Sequence, residues 1–437
     1  MMRSRSIFEM DIYIVVATIL LLAVGILFVF SSGVTATGEI ANREYLRQIL
    51  WAVSGLILMF LVTFIDYRFH YRFASSYFFM ILVLLVATLF FGRVVSGARR
   101  WIGIWHAGVQ PSEFAKLALI LFLARYFGDR KKEIKKVRTF LVGLFWASLP
   151  SALVLLQPDL GTSLVYLPIF LVIAFFGGAK LMHLAYVTAF VSLAGLFTVV
   201  PFWVQHVMDR PTAAILVLTE IRIMRYLLGG AGAALLVSSI GLYMTRQRVF
   251  FWINYALSLV MASIPLSYVA RMVLREYQIM RLVVFVNPYV DPQGAGWNII
   301  QSITAVGSGG LFGKGFLRGT QSHYQYLPAQ STDFIFSILA EEWGFIGAAL
   351  VFLLFAVIVM RSLYVMVSAR DRFSSLVVAG IVAMMVFHFL VNIGMTIGLM
   401  PVTGLPLLLL SFGGSSLWTA LIGLGMVMSV YQHRYQY

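Results

Sequence analysis

The chain contains no cysteine and carries little charge. The absence of cysteine excludes disulfides, thiol catalysis and thiolate metal sites, and it leaves the redox compartment undetermined. Charged residues make up 11% of the 437 residues, whereas soluble globular proteins carry roughly 25%. Hydrophobic residues make up 61%, and the mean hydropathy is +0.92. The composition therefore excludes a soluble globule and predicts an all-α, polytopic membrane bundle.

Acidic residues are the scarcer charge: 17 Asp and Glu stand against 32 Lys and Arg, for a net charge of +15. Such a balance can indicate nucleic-acid binding, but the basic residues cluster in short loops between apolar runs. The positive-inside rule explains that pattern, so no nucleic-acid partner is expected. We also expect no cleavable signal peptide, because the first apolar run, residues 12–30, is too long for a signal-peptide core and no small-residue cleavage site follows it.

Apolar runs predict twelve membrane spans, because a bilayer core about 30 Å thick requires roughly 20 apolar residues per helix. The predicted spans are residues 11–32, 48–66, 74–92, 112–127, 139–156, 160–178, 183–203, 226–244, 250–270, 333–360, 375–399 and 406–431. The basic loops, such as residues 130–138, all fall on one side of this arrangement. By the positive-inside rule that side is the cytoplasm, which places both termini inside and the loops 93–111 and 271–332 outside.

No repeat or linker divides the chain, so we expect a single integral membrane domain, residues 1–437. Residues 271–332 are long for a loop without regular structure, and such loops are usually functional or disordered. Aromatic and apolar residues within this segment argue against disorder. We expect this long extracytoplasmic loop to pack over the outer mouth of the bundle.

Asp333 lies where the polar, glycine-rich segment meets a long apolar helix predicted to begin at Phe334. Ser331, Thr332 or Asp333 could cap the free N–H groups of that helix, where the helix dipole favours a negative charge. An ordinary cap and a functional carboxylate both fit this position. Polar residues in the preceding segment favour function: Arg281, Asn287, Asp291, Gln301, Lys314, Arg318, Gln321 and His323.

Charged residues within apolar spans are costly, by about 2.5–3.5 kcal/mol on insertion scales, and they are usually functional. Glu113 and Lys116 lie three residues apart, so they share a helix face and can pair, either as a structural ion pair or as part of a site. Asp159 lies at a proline-marked break between two spans, where a cap and a function are both open. Glu341 follows Asp333 by eight residues, about two helical turns, and should lie below it on the same face.

Two other polar groupings carry weaker signals. His388 and Asn392, four residues apart in a later span, form an inward polar pair of a kind that is more often structural than ligating. The glycines of residues 307–315 match neither the dinucleotide-binding nor the Walker pattern. They could still let backbone N–H groups approach an anion, with Lys314 and Arg318 adding charge, or they could form a flexible surface loop. No residues show the spacing of metal ligands.

Several motifs, in order along nearly the whole chain, resemble those of the SEDS (shape, elongation, division and sporulation) family. They occupy residues 100–102, 110–116, 157–163, 291–296, 319–322, 332–336 with 340–344, and 411–416. Residues 319–322 and 401–406 look more like the elongation member of the family than the division member. The division and sporulation members remain alternatives.

The resemblance implies a peptidoglycan glycosyltransferase that polymerises lipid II at the outer face of the bacterial cytoplasmic membrane, together with a class B penicillin-binding protein. The family's essential acid falls on Asp333, as general base, and its buried pair on Glu113 and Lys116. The departing diphosphate would need fixed cations or a divalent metal such as Mg²⁺, and the sequence leaves the cofactor open. The other candidates for substrate binding or for lining the cavity are Arg100, Asp159, Arg281, Lys314, Arg318, Gln321 and Glu341.

The sequence departs from the family's pattern in two places. Ala329 and Ser331 stand where the family usually carries acidic and histidine residues, so substrate contacts there are expected to differ. Residues 205–270 are longer than the usual connection and contain two extra apolar runs. They predict an inserted transmembrane hairpin added to about ten core spans, for contact with membrane lipids or for partner docking.

Two other classes of protein compete with the enzyme. A flippase that moves lipid-linked precursor would also use buried charges such as Glu113, Lys116 and Asp159. A scaffold that only recruits the penicillin-binding protein would leave those charges unexplained. An outward-facing acid beside a cationic loop favours chemistry over transport.

Overall fold

The computed structural model describes residues 10–95, 98–103, 108–207, 220–324 and 326–434. In this part of the chain, ten helices are long and apolar enough to cross a membrane. The prediction of an all-α, multi-pass membrane bundle is therefore confirmed.

Helices account for most of the described elements, and a short antiparallel β-hairpin accompanies them. In chain order the elements are α1 (Ile12–Ser32), α2 (Glu44–Phe64), α3 (Tyr67–Phe91), β1 (Arg93–Val95), β2 (Ala98–Trp101), α4 (Pro111–Asp129), α5 (Val137–Leu156), α6 (Leu160–Phe176), α7 (Leu181–Val207), α8 (Ile221–Thr245), α9 (Arg248–Val273), α10 (Glu276–Val286), a 3-10 turn (Pro288–Val290), α11 (Trp297–Gly309), α12 (Thr320–His323), α13 (Ile335–Ser368), α14 (Arg372–Thr396) and α15 (Gly414–Gln432).

The chain divides into two compact units: Met1–Ala179 with Trp297–Tyr437, and Lys180–Gly296. Within the second unit, α8 and α9 pack together across a turn in which Arg246 adopts a left-handed conformation, with φ of 54°. The two apolar runs of residues 205–270 are thus helices, and their origin as an insertion stays a prediction. Only 6% of the most apolar stretch of α8 is buried.

In the first unit, α14 is the most enclosed helix, with 83% of its most apolar stretch buried. It packs against α4, α6, α13 and α15. Gly380 permits this approach, because an added Cβ would lie 2.8 Å from side-chain atoms of Ile120 and Ile173. Small residues at such crossings let membrane helices come close enough for dense packing. The polar side chains of α14 are therefore held in fixed surroundings.

The predicted span 333–360 is wrong in one respect, because α13 is interrupted at Gly344, where φ is 64° and ψ is −158°. The carbonyls of Glu341 and Glu342 there accept hydrogen bonds from the backbone N–H groups of Lys314, at 2.9 Å, and Gly315, at 3.0 Å. The N–H of Phe345 donates in turn to Gly310, at 2.9 Å. A broken helix is tolerated at membrane depth when neighbouring chain satisfies its backbone in this way.

Gly344→Ala should destabilise the protein by at least about 1–3 kcal/mol, because this backbone region is nearly restricted to glycine. An added Cβ would also lie 2.3 Å from the backbone nitrogen of Gly313. Thermal unfolding in detergent measures the effect. Gly230→Ala is the matched control, since Gly230 lies within α8 and an added Cβ meets no atom within 4 Å. An equal melting temperature for the two variants would contradict the expectation.

The segment 271–332 is not irregular, which corrects the sequence prediction. It contains α10, the following 3-10 turn, α11 and α12. Amphipathic stretches such as α11 are too short and too polar to stand out by hydropathy, which is why the sequence suggested a loop.

The predicted span 406–431 is also wrong at its start, since α15 begins at Gly414. Residues 405–410 are almost wholly buried but not helical. This segment, here called the buried loop, passes so close to α1 that a Cβ added to Gly25 would lie 2.7 Å from the carbonyl oxygen of Leu410. Its carbonyl groups need partners, because a buried backbone group without a hydrogen bond is costly.

Candidate functional site

Asp333 lies in a tight turn that precedes α13, not in the helix. Its N–H donates to the carbonyl of Ala329 at 3.0 Å, and Ala329 adopts a positive φ of 50°. The N-cap of α13 is Phe334, whose side chain makes no capping hydrogen bond, so none of the three residues predicted to cap the helix is its N-cap. The side chain of Asp333 is partly exposed, whereas Phe334 is buried. The position is therefore suited to a carboxylate that meets a ligand.

Two helices hold the start of this turn. The Nε2 of Gln330 donates to the carbonyl of Ser32, at the end of α1, at 2.8 Å. The hydroxyl of Ser331 donates to Oε2 of Glu44, at the start of α2, at 2.7 Å. Glu44 is thus a second carboxylate in contact with this turn, although it is far from Asp333 in the sequence, and sequence reasoning did not select it.

Two further elements hold the end of the turn. The N–H of Phe412 donates to the carbonyl of Ser331 at 2.9 Å. The Nδ2 of Asn392, on α14, donates to the carbonyl of Asp333 at 2.9 Å. Side chains and main-chain carbonyls of residues 330–333 thus tie the turn to four other parts of the first unit.

Glu113 and Lys116 form the buried pair predicted from their spacing, with 2.7 Å between Oε2 and Nζ. Lys116 is 0% exposed, and its Nζ also lies 3.0 Å from Nε2 of His388. The Nδ1 of His388 lies 3.1 Å from the carbonyl oxygen of Pro406 in the buried loop. Because that oxygen can only accept, Nδ1 carries the proton and Nε2 accepts from the ammonium group of Lys116. In this arrangement Lys116 donates to both Glu113 and His388, His388 donates to Pro406, and the charges of Lys116 and Glu113 are opposite.

Arg100 and Asp159 meet at the break before α6. The Nη1 of Arg100 lies 3.6 Å from Oδ2 of Asp159, and its other nitrogens donate to the carbonyls of Gln157 and Pro158. Asp159 also caps α6 by accepting from the N–H of Thr162 at 3.2 Å. Arg100 is therefore engaged in shaping the break, and the cap interpretation of Asp159 holds in the structure.

Glu341 is fully buried, and its side chain binds the segment 314–321, which packs against the break in α13. Its carboxylate accepts from Nζ of Lys314 at 2.7 Å, from the N–H of Thr320 at 2.8 Å and from the N–H of Gln321 at 3.2 Å. The sequence placed Glu341 below Asp333 on one helix face; this is wrong, because Asp333 lies outside the helix. Lys314 is consequently paired and not an unpaired cation.

Glu342 is buried beside it, with partners that sequence reasoning missed. Its carboxylate accepts from the hydroxyl of Ser31, at 2.5 Å, and from the N–H of Leu317, at 3.1 Å, and Nε2 of His323 lies 3.3 Å away. The two adjacent glutamates thus face different partners. The sequence shows two adjacent acidic residues, Glu341 and Glu342. It does not show which residues they contact, because those partners lie elsewhere along the chain.

The remaining predicted cations differ in their surroundings. Arg318 is exposed, and its guanidinium makes no hydrogen bond or ion pair within the part of the chain that the structure describes. Arg281 belongs to the second unit and lies over the ring of Tyr277, at 5.7 Å. Among the described residues no group of three or more His, Asp or Glu side chains is arranged to hold a metal ion.

The fold and these clusters define a multi-pass membrane protein that contains a partly exposed carboxylate on a held turn and several buried, paired charges. A family model for cell cycle proteins, FTSW_RODA_SPOVE, matches residues 11–211 and 206–436. The chain therefore belongs to this family, and the resemblance noted in the sequence is confirmed.

Named relatives and a solved structure agree with this assignment. Peptidoglycan glycosyltransferase RodA of Treponema pallidum is 46% identical over 430 residues, which cover 98% of this chain and 99% of that protein. Peptidoglycan glycosyltransferase MrdB of Escherichia coli is 33% identical over 89% of this chain and 85% of that protein. A chain solved in a study of the structural coordination of polymerization and crosslinking by a peptidoglycan synthase complex is 27% identical, with a TM-score of 0.64, and covers 98% of this chain and 99% of that chain.

Proposed function

We propose that the chain polymerises lipid II into glycan strands, with Asp333 as the general base. The enzyme class follows from the relatives: the chain is a peptidoglycan glycosyltransferase of the kind that acts in cell elongation. The observation that supports the role of Asp333 is its place on a turn that four other parts of the unit hold, with its side chain partly exposed. A base must be fixed within hydrogen-bond reach of the proton that it takes.

In the proposed reaction, the carboxylate of Asp333 takes the proton of the acceptor sugar's hydroxyl. The oxygen then forms a bond to the anomeric carbon of the donor, and the bond from that carbon to the diphosphate breaks. The lipid-linked diphosphate leaves with the electron pair, and its charge must be met by fixed cations. Arg318 is the exposed cation in the segment beside Glu341, and we assign it this contact. Arg281 and a divalent cation such as Mg²⁺ stay predictions.

The orientation in the membrane is part of the proposal. The basic loops support cytoplasmic termini and an extracytoplasmic site, because arginine and lysine are retained on the cytoplasmic side. A class B penicillin-binding protein is the proposed partner. One solved relative comes from a synthase complex that couples polymerization and crosslinking, which supports a partner that crosslinks.

Purified protein supplied with lipid II, and with no other glycosyltransferase, should produce glycan polymer that a hydrolase of glycan chains removes. The measurement is the length distribution of labelled product on a gel. Movement of labelled lipid II between leaflets of a vesicle, without polymer, would instead identify a flippase. Neither polymer nor movement of lipid II, whether or not a class B penicillin-binding protein is added, would instead favour a scaffold.

A further inference from the structure

We propose that Asn392 is a positioning residue, whose amide fixes Asp333 against the buried loop. The proposal rests on the proposed role of Asp333 as the base. Asn392 would touch no substrate, and it would act by holding the main chain that carries the carboxylate.

The side-chain amide of Asn392 joins two segments that are far apart in sequence. Its Nδ2 donates to the carbonyl of Asp333 at 2.9 Å and to the carbonyl of Leu405 at 2.8 Å. Both hydrogens of the amide are thereby used. The opposite orientation would place Oδ1 against two carbonyl oxygens, so these contacts fix which atom is the nitrogen.

Packing alone does not explain an asparagine at this place. The side chain is 0% exposed, and its Oδ1 has no hydrogen-bond partner within the described ranges. A buried polar atom without a partner is unfavourable, and an apolar residue would avoid that cost. The two donated bonds are therefore what the amide contributes.

His388 supports the same loop from one helical turn earlier. It lies four residues before Asn392 on α14, so both side chains lie on one face. The Nδ1 of His388 binds the carbonyl of Pro406, the residue after the one that Asn392 binds. Through Nε2 it is joined to Lys116 and Glu113. A continuous set of contacts thus leads from the buried ion pair, through the loop, to the backbone of Asp333.

The geometry gives Asn392 a specific effect on catalysis. Without the amide, the carbonyl of Asp333 loses its tie to α14, and the carboxylate can shift by a fraction of an ångström or more. Displacement of a reacting group by about 1 Å can reduce rate by roughly 10²-fold. Substrate binding, which involves other groups, should change little.

The test uses Asn392→Ala and the similarly sized Asn392→Leu, which keeps most of the side-chain volume but has no hydrogen-bond donor. We expect kcat for lipid II polymerisation to fall by roughly 10-fold to 10²-fold in both, while KM stays within about twofold. Thr396→Val is the matched control, because Thr396 is equally buried on α14 and, among the described residues, its hydroxyl bonds to Ile393 of the same helix. Its kcat should stay within about twofold of the parent.

A second measurement separates positioning from stability. In an Asp333→Glu background, where the carboxylate is already displaced, Asn392→Ala should cost less than about threefold, because residues that act as a unit are not additive. The proposal would be overturned if Asn392→Ala lowered kcat by the same factor in the Asp333→Glu background as in the parent. It would also be overturned if both Asn392 variants had the kcat of the parent. If Asp333→Asn itself retained activity, the base assignment would fail, whatever the Asn392 variants did.

Discussion

Asp333→Asn is expected to remove nearly all lipid II polymerisation while leaving the protein folded. Positioned general bases contribute about 10²–10⁴-fold to rate, and an amide cannot take the proton. The fold should survive because the backbone of Asp333 and its neighbours make contacts that hold the turn, and asparagine keeps the size of the side chain. Product gels measure the rate, and thermal unfolding in detergent measures the fold.

Asp129→Asn provides the charge-matched control for this experiment. Asp129 ends α4, where its carboxylate accepts from the hydroxyl of Tyr71 at 2.9 Å and lies 3.9 Å from Arg125. Loss of one negative charge at that exposed place should leave polymerisation near the parent rate. Equal activities for the Asp333 and Asp129 variants would remove Asp333 from the role of base.

Glu113→Ala is expected to have the largest effect on stability. The change leaves the ammonium group of Lys116 buried, at 0% exposure, with His388 as its remaining partner in the cluster. Removing one member of a buried pair typically costs about 3–5 kcal/mol, because an uncompensated charge is left away from water. The melting temperature in detergent and the yield of monodisperse protein should both fall sharply.

The double variant Glu113→Ala with Lys116→Met should recover much of that loss, since it removes the stranded charge. Polymerisation need not return with the fold, because His388 would then lack its contact from Lys116. Lys136→Met is the control for charge removal at the surface, where Lys136 forms an exposed ion pair with Glu133 at 3.2 Å. Such a pair should contribute little. A single Glu113→Ala variant as stable as the double would contradict this account.

Hydropathy was sufficient to find the long membrane-spanning helices, because a span must be about 20 apolar residues long whatever it packs against. It could not find the break at Gly344 or the buried loop. Leu405 and Leu410 have the same hydropathy in a helix and in a loop that is enclosed by protein, and only the partners of the main chain distinguish the two cases. Those partners, such as Asn392 and His388, come from another helix.

The candidate site was predicted in part for the same reason. The Glu113–Lys116 pair lies within one helix turn, so spacing alone predicts the contact. The surroundings of Asp333 depend on residues that are distant along the chain, including Ser32 and Glu44. Spacing carries no information about such contacts. The placement of Glu341 below Asp333 failed because the helix begins at Ile335 and Asp333 lies in the turn before it.

The exposed surface of α8 has a consequence for how the sequence can change through time. With 6% of its most apolar stretch buried, against 83% for α14, most positions in that stretch are constrained mainly to be apolar, apart from those that pack on α9, such as Gly241. Leucine, valine and isoleucine should replace one another there almost freely. Neutral drift should consequently be fastest in α8 and slowest in α14, where each side chain must fit the shape of its neighbours.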